Sequence, residues 1–139
     1  MKKVLKAMVM LLFVVSMTTL TSCNKEAEKL IVGKWECTSA VDTDYSISHT
    51  MPWLIGMVWE FKTNGDFIGT IDDPDDEYGD VTVSASYSIL ADVLTITYID
   101  EDGDVESDSY IIKELTKTKL VIKESDWDEE TVVEFKKIL

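Results

Sequence analysis

Arginine is absent from this chain, histidine occurs once, at His49, and cysteine twice, at Cys23 and Cys37. Each scarcity closes off a class of function. Acids number 27 against 13 lysines, a formal net charge of −14, so neither nucleic acid nor an anionic membrane is a partner through charge. A lone histidine leaves few activating partners for a serine or cysteine nucleophile. His49 lies among residues 41–56 with Asp44 and Ser48 nearby, and no spacing there points to acid–base or nucleophilic work. Long apolar runs are also missing. The longest, Ala7–Met17, is broken by Ser16 and falls short of the ~20 residues a membrane-spanning helix needs.

That run follows "MKKVLK", with three lysines, and together they read as the charged and apolar parts of a cleaved signal. Next comes Leu20-Thr21-Ser22-Cys23, which resembles the lipobox of bacterial lipoproteins. The resemblance covers the first 23 residues and implies that the Cys23 sulfur receives diacylglycerol. It also implies that cleavage leaves Cys23 at the mature N-terminus and that its amine takes a further acyl chain such as palmitate. Two or more chains anchor a protein stably where one does not. A lipidated Cys23 cannot pair with Cys37, which then reads as a small buried apolar side chain. Asn24, in place of the aspartate that marks inner-membrane retention in enteric lipoproteins, favours the outer membrane. The expected organisation is a signal peptide over 1–22, a polar tether over 23–29 and one domain over 30–139. Without the signal, ten lysines remain against 27 acids, a balance of −17. The tether "NKEAEK" would span ~20 Å if extended.

From Leu30 onward apolar residues alternate in short runs separated by turn signals, which predicts strands. Eight are expected: "IVGKWECTSA", "MVWEFK", "FIGTI", "VTVSASYSI", "VLTITYI", "VESDSYIIKEL", "KLVIKE" and "TVVEFKKI". Asn64-Gly65 predicts a tight hairpin. The alternation changes phase between Val105 and Tyr110, which predicts a bulge or an irregular start there. Sequential strands with short turns and no helix between them form a meander, and eight can close into an all-β, antiparallel up-and-down barrel. One connection is long. Between the first two strands lie Met51, Trp53, Leu54 and Ile55 beside Pro52, residues that either plug an end or close over a guest.

Gly33-Lys34-Trp35 resembles the Gly-x-Trp signature of lipocalins, and nearly all of the mature chain is similar to the short lipocalin-like lipoproteins of Bacteroidetes. The resemblance implies an eight-stranded barrel and a carrier of small molecules. Two departures stand out. The late arginine that stacks on the signature tryptophan in many lipocalins is absent, so that contact is missing or made by a lysine. Thr43-Asp44-Tyr45 matches a second lipocalin motif in letters but lies in the wrong place.

The candidate ligand residues are Trp35, Met51, Trp53, Trp59, Phe61, Tyr87 and Tyr98, with Phe67 and Phe135 as further inward aromatics. A barrel this small either fills with such side chains or leaves room for one small ligand, and both stay open. No metal is expected. The turn Asp100–Asp104 and the loop with Asp72, Asp73, Asp75, Asp76, Glu77 and Asp80 read as solvated turns, and an EF-hand count from Asp100 places Ile111 where a glutamate belongs. Glu36 and Glu60 fall on the outward phase, so no catalytic residue, enzyme activity or cofactor is assigned. The expected function is a membrane-anchored protein of the outer membrane that binds a small apolar or aromatic molecule at the barrel mouth. The alternative is a packed barrel that engages a basic protein partner, not itself identified, through its acidic loops.

Overall fold

The computed structural model describes residues 24–72, 80–126 and 129–139. The signal segment, Cys23 and most of the acidic loop after Asp72 lie outside them. Nine strands form one antiparallel sheet: β1 (Gly33–Asp44), β2 (Ile47–Thr50), β3 (Val58–Phe61), β4 (Asp66–Ile71), β5 (Val81–Leu90), β6 (Val93–Ile99), β7 (Val105–Leu115), β8 (Lys119–Asp126) and β9 (Glu129–Lys137). Pairing of β1 with β9 closes the ring. The expected eight-stranded up-and-down barrel is therefore present, with β2 as one strand more than expected.

β2 arises in the long connection. β1 runs four residues past Ala40, turns through Tyr45 and Ser46, both at positive φ, and pairs back as Asp44↔Ile47 to Val41↔Thr50. This two-residue turn has the twist a hairpin requires, although neither residue is the usual glycine or asparagine. The connection is thus wall rather than a lid over the mouth. A 3-10 turn at Pro52–Leu54 then returns the chain to β3.

The predicted irregularity at the start of β7 is not there. The β6–β7 ladder is continuous from Ile99↔Val105 to Val93↔Ile111. Val105 simply lies on the outer face, 70 % exposed. The register shifts fall instead between Cys37 and Ser39 on β1 and between Ile112 and Glu114 on β7. Asn64-Gly65 does form the expected hairpin, with Gly65 at φ 90° and the Lys62 N–H donating to the Asp66 carbonyl at 2.9 Å.

Within the stretch read as a polar tether and just beyond it, residues 24–31 form a helix, α1. Ala27 and Ile31, four residues apart, lie on one face of it. Ile31 is fully buried and Ala27 packs against the core. The helix covers one end of the barrel because the chain enters β1 there, beside the turns β3–β4, β5–β6 and β7–β8. This closed end is filled by Ile31, Trp35, Phe61, Leu94, Leu120 and Phe135, each at most 1 % exposed.

Trp35 holds the seam. It pairs with Trp59 on one side and Lys137 on the other. Its indole Nε1–H donates to the Ile31 carbonyl at 2.7 Å, and Lys137 Nζ stands 5.1 Å over its ring while donating to the Leu30 carbonyl at 3.1 Å. A lysine thus makes the contact expected of the missing arginine. Gly33, at φ 133°, must be glycine, because a Cβ there would collide with the Leu139 carbonyl oxygen.

Trp35→Ala should lower unfolding free energy by about 3–5 kcal/mol, read from denaturant midpoints. Trp35→Phe, which keeps most of the volume but orphans the Ile31 carbonyl, should cost about 1–3 kcal/mol. Equal stability of Trp35→Phe and the native protein would show that the indole N–H contributes nothing.

Candidate functional site

The inward face changes character along the barrel axis. Above the filled closed end, the alternation of β4, β5 and β6 places Gly69, Ile71, Val81, Val83 and Ile96 around Trp59 and Phe67, and they enclose a cavity of about 550 Å³. Its size fits a small organic molecule. Part of the space comes from Gly69, which has no side chain to fill it; a Cβ there would press on the Phe67 ring at 3.3 Å. Val81 and Val83 point inward yet are 48 % and 45 % exposed, so the cavity opens to solvent.

The opening follows from the pairing. β5 pairs with β4 through Val81–Ser86, but its ladder with β6 begins only at Ser86↔Thr97. Beyond that point β5 and β6 part, leaving a slot in the wall next to the mouth. Tyr98 and Ile99 border the cavity inside it and also a groove of about 720 Å³ outside, which Lys62, Ser84, Ser86 and Thr97 make more polar.

Aromatic rings form the floor. Trp59 meets Phe67 at 5.3 Å and Tyr110 at 5.6 Å edge-on, and Phe135 at 4.8 Å with the rings tilted by 36°, geometries in which aromatic pairs are attractive. Asp108, on the inward phase of β7 opposite Ile96, brings a carboxylate to the cavity wall between Tyr98 and Tyr110. The nearby Asp108 charge, more than burial, raises the Tyr98 pKa, with Glu106 and Asp100 adding to it. For Tyr110 burial is the larger cause, followed by Asp108 and Glu124, and its hydroxyl is held far above the usual tyrosine range. At the rim, Asp100 and Glu101 border the cavity. One Asp100 carboxylate oxygen accepts from the backbone N–H groups of Asp102 and Asp104, at 2.9 and 2.8 Å, which accounts for that acid as a turn former.

Charge divides along the same axis. Of the ten lysines after Cys23, nine lie on the closed side of the strand midpoints and Lys123 alone lies beyond. Among the described residues, eight acids share the closed half and fourteen, from Asp42 to Glu130, the open half. One half is nearly neutral; the other carries the negative charge.

Of the candidate ligand residues, the structure brings Trp59 and Tyr98 to the cavity wall. Trp35 and Phe61 belong to the filled end. Tyr87 packs edge-on against Phe61 at 5.0 Å and its hydroxyl donates to the Lys62 carbonyl at 2.7 Å, so it serves the β3–β4 turn. Met51 packs on the core from the connection between β2 and β3. Trp53 is 65 % exposed and does not line the cavity. Cys23 lies outside the described residues. Cys37 is buried, and loss of water raises its thiol pKa, partly offset by the Ser39 backbone; the thiol donates to the Ser39 carbonyl at 3.6 Å. Glu36 and Glu60 do face outward; Glu36 pairs with Lys136 at 3.3 Å. Asp108 and Tyr110 were missed. The signal was present, since counting back by twos from Tyr110 turns Asp108 inward, but it was obscured by the supposed irregularity of β7.

The tyrosines give a pH test. Below about pH 10 a tyrosine hydroxyl is protonated in both folded and unfolded chains. Above it the unfolded chain releases a proton that folded Tyr110 retains, so stability should fall as pH rises past that value. Tyr110→Phe should make the alkaline decline shallower, measured by denaturant unfolding across the range. An unchanged slope would contradict the raised Tyr110 pKa.

Residues 31–122 match the model of the lipocalin-like domain. No curated protein matches the chain. Among solved structures, a lipocalin-like protein from Bacteroides uniformis superposes with a TM-score of 0.57 at 15 % identity, over 78 % of this chain and 99 % of that one. An uncharacterized protein from Bacteroides eggerthii gives 0.55 at 16 % identity, with the same coverage of 78 % and 99 %. At such identities the likeness concerns the fold alone. With the barrel and its closed seam, the match over residues 31–122 shows that this chain belongs to the lipocalin-like domain family.

Proposed function

We propose that the protein is a lipid-anchored binding protein that takes a small apolar or aromatic molecule into the cavity between β4, β5, β6 and β7. The cavity itself carries this reading: about 550 Å³, lined mostly by apolar side chains, in a barrel whose other half is filled. A chain needing only stability would have put larger residues than Gly69, Val81 and Val83 there.

Anchoring rests on Leu20-Thr21-Ser22-Cys23, and the fold gives it a direction. α1 begins at the residue after Cys23, and the Asn24 side-chain oxygen accepts from the Ala91 N–H of the β5–β6 turn at 2.7 Å. Acyl chains on Cys23 would therefore leave beside the closed end. The nearly neutral half then faces the bilayer and the mouth points away, on the order of 30 Å distant for a strand of β7's length. No helix among the described residues is long and apolar enough to cross a membrane.

The second reading, contact with a basic protein through the acidic open end, draws on the same charge division but leaves the cavity without a role. Two measurements test the first. Cys23→Ser should move the protein from the membrane to the aqueous fraction with its fold intact; retention in the membrane would contradict the anchor. A neutral apolar fluorescent probe should bind the native protein, and Val83→Trp, which fills the cavity at a half-exposed position, should weaken binding by about tenfold or more. Equal binding by the variant would place the probe elsewhere and overturn the cavity as the site.

A further inference from the structure

The cavity is apolar, yet among the described residues every charged side chain bordering it is an acid: Asp100, Glu101 and Asp108. No lysine lines it. Nine of the ten lysines after Cys23 stand on the far side of the strand midpoints, and Lys123, the exception, is held to Glu130 at 2.8 Å. The groove outside the β5–β6 slot holds Lys62 as well as Asp66, but a ligand entering by the mouth crosses a field of one sign. Such a field raises the local concentration of cations and lowers that of anions.

The wall at Asp108 suits a cation that is more than a diffuse counterion. Asp108 is half-buried and shares the cavity wall with Tyr98 and Tyr110, and an ionised carboxylate offers about four lone-pair sites to a donor. Two phenol rings stand beside it, with the indole of Trp59 5.6 Å from Tyr110. Ring faces attract ammonium groups, most strongly where water is partly excluded. The Asp108 charge pushes the Tyr98 hydroxyl toward its neutral form, and for Tyr110 the same charge adds to burial, the larger cause.

We propose that the ligand class of this cavity is the amphiphilic cation: an amine or quaternary ammonium with an apolar body, its body between Trp59, Gly69 and Val83 and its charge at Asp108 between Tyr98 and Tyr110. This rests on the cavity being the binding site and adds the sign of the ligand's charge.

The test compares three probes with one apolar body and different ends: decyltrimethylammonium, decanol and decanoate, each below its micelle concentration, displacing a neutral fluorescent probe from the purified protein. The cation should bind about tenfold more tightly than the alcohol at low salt, through one partly screened charge pair and its ring contacts, and decanoate weakest. Asp108→Asn should remove most of the cation's advantage over decanol, read as the ratio of the two affinities in the same variant so that any change common to both probes cancels. Glu26→Gln on α1 alters net charge equally and should keep the preference. If decanol and the cation bind alike, or Asp108→Asn leaves the ratio as it was, the assignment of charge fails and the cavity stands. If none of the three displaces the probe, both fail.

Discussion

Closure of the sheet through Trp35 is the constraint on which everything else depends. The ring of strands meets itself at β1, where Trp35 stands between Trp59 on β3 and Lys137 on β9, bonded upward to α1 through the Ile31 carbonyl. Closure satisfies strand edges that would otherwise be exposed. It also forces the inward residues of every strand into one shared space. Because the aromatic and branched side chains that fill that space are concentrated at the closed end, the opposite half of the barrel is left hollow. Rigidity at one end and volume at the other are two results of one distribution of side-chain size.

The same axis orders the chemistry. Small inward residues on β4 and β5, the parting of β5 from β6 beyond Ser86↔Thr97, and inward acids on β7 all occur toward the open end. Lysines gather at the other, where the chain leaves toward Cys23. A lipid on Cys23 would turn this polarity into an orientation, holding the barrel by its filled, nearly neutral end and presenting an acidic opening to the surroundings.

Much of this was legible in the chain. Alternation in "VTVSASYSI" and "VLTITYI" gave strand positions because one face of each strand packs inward and the other presents hydroxyls, some paired across strands as Thr97 and Ser107 are at 3.1 Å. Asn64-Gly65 gave its hairpin because glycine tolerates positive φ. Three features were not legible, for three reasons. β2 depends on Tyr45 and Ser46 adopting positive φ, which neither residue type announces. α1 contains Glu, Lys and Asn around a two-residue apolar stripe, too little for periodicity to register until the barrel end supplies a surface for Ala27 and Ile31. The inward carboxylate of Asp108 was hidden because an acid on a core-facing phase is read as an error in phase. The question of a filled or hollow barrel had no answer in composition, since it turns on where along the strands the large residues fall.

The central claim is that the space between β4, β5, β6 and β7 is a binding site and the closed end is not. The most direct measurement is a titration of the isotopically labelled protein with a small apolar amine, followed by backbone amide shifts in nuclear magnetic resonance. The account predicts saturable shifts at Gly69, Val83, Tyr98, Asp108 and Tyr110, with Trp35, Leu120 and the residues of α1 unmoved. Shifts centred on α1 and the β3–β4 turn, or none that saturate, would contradict it.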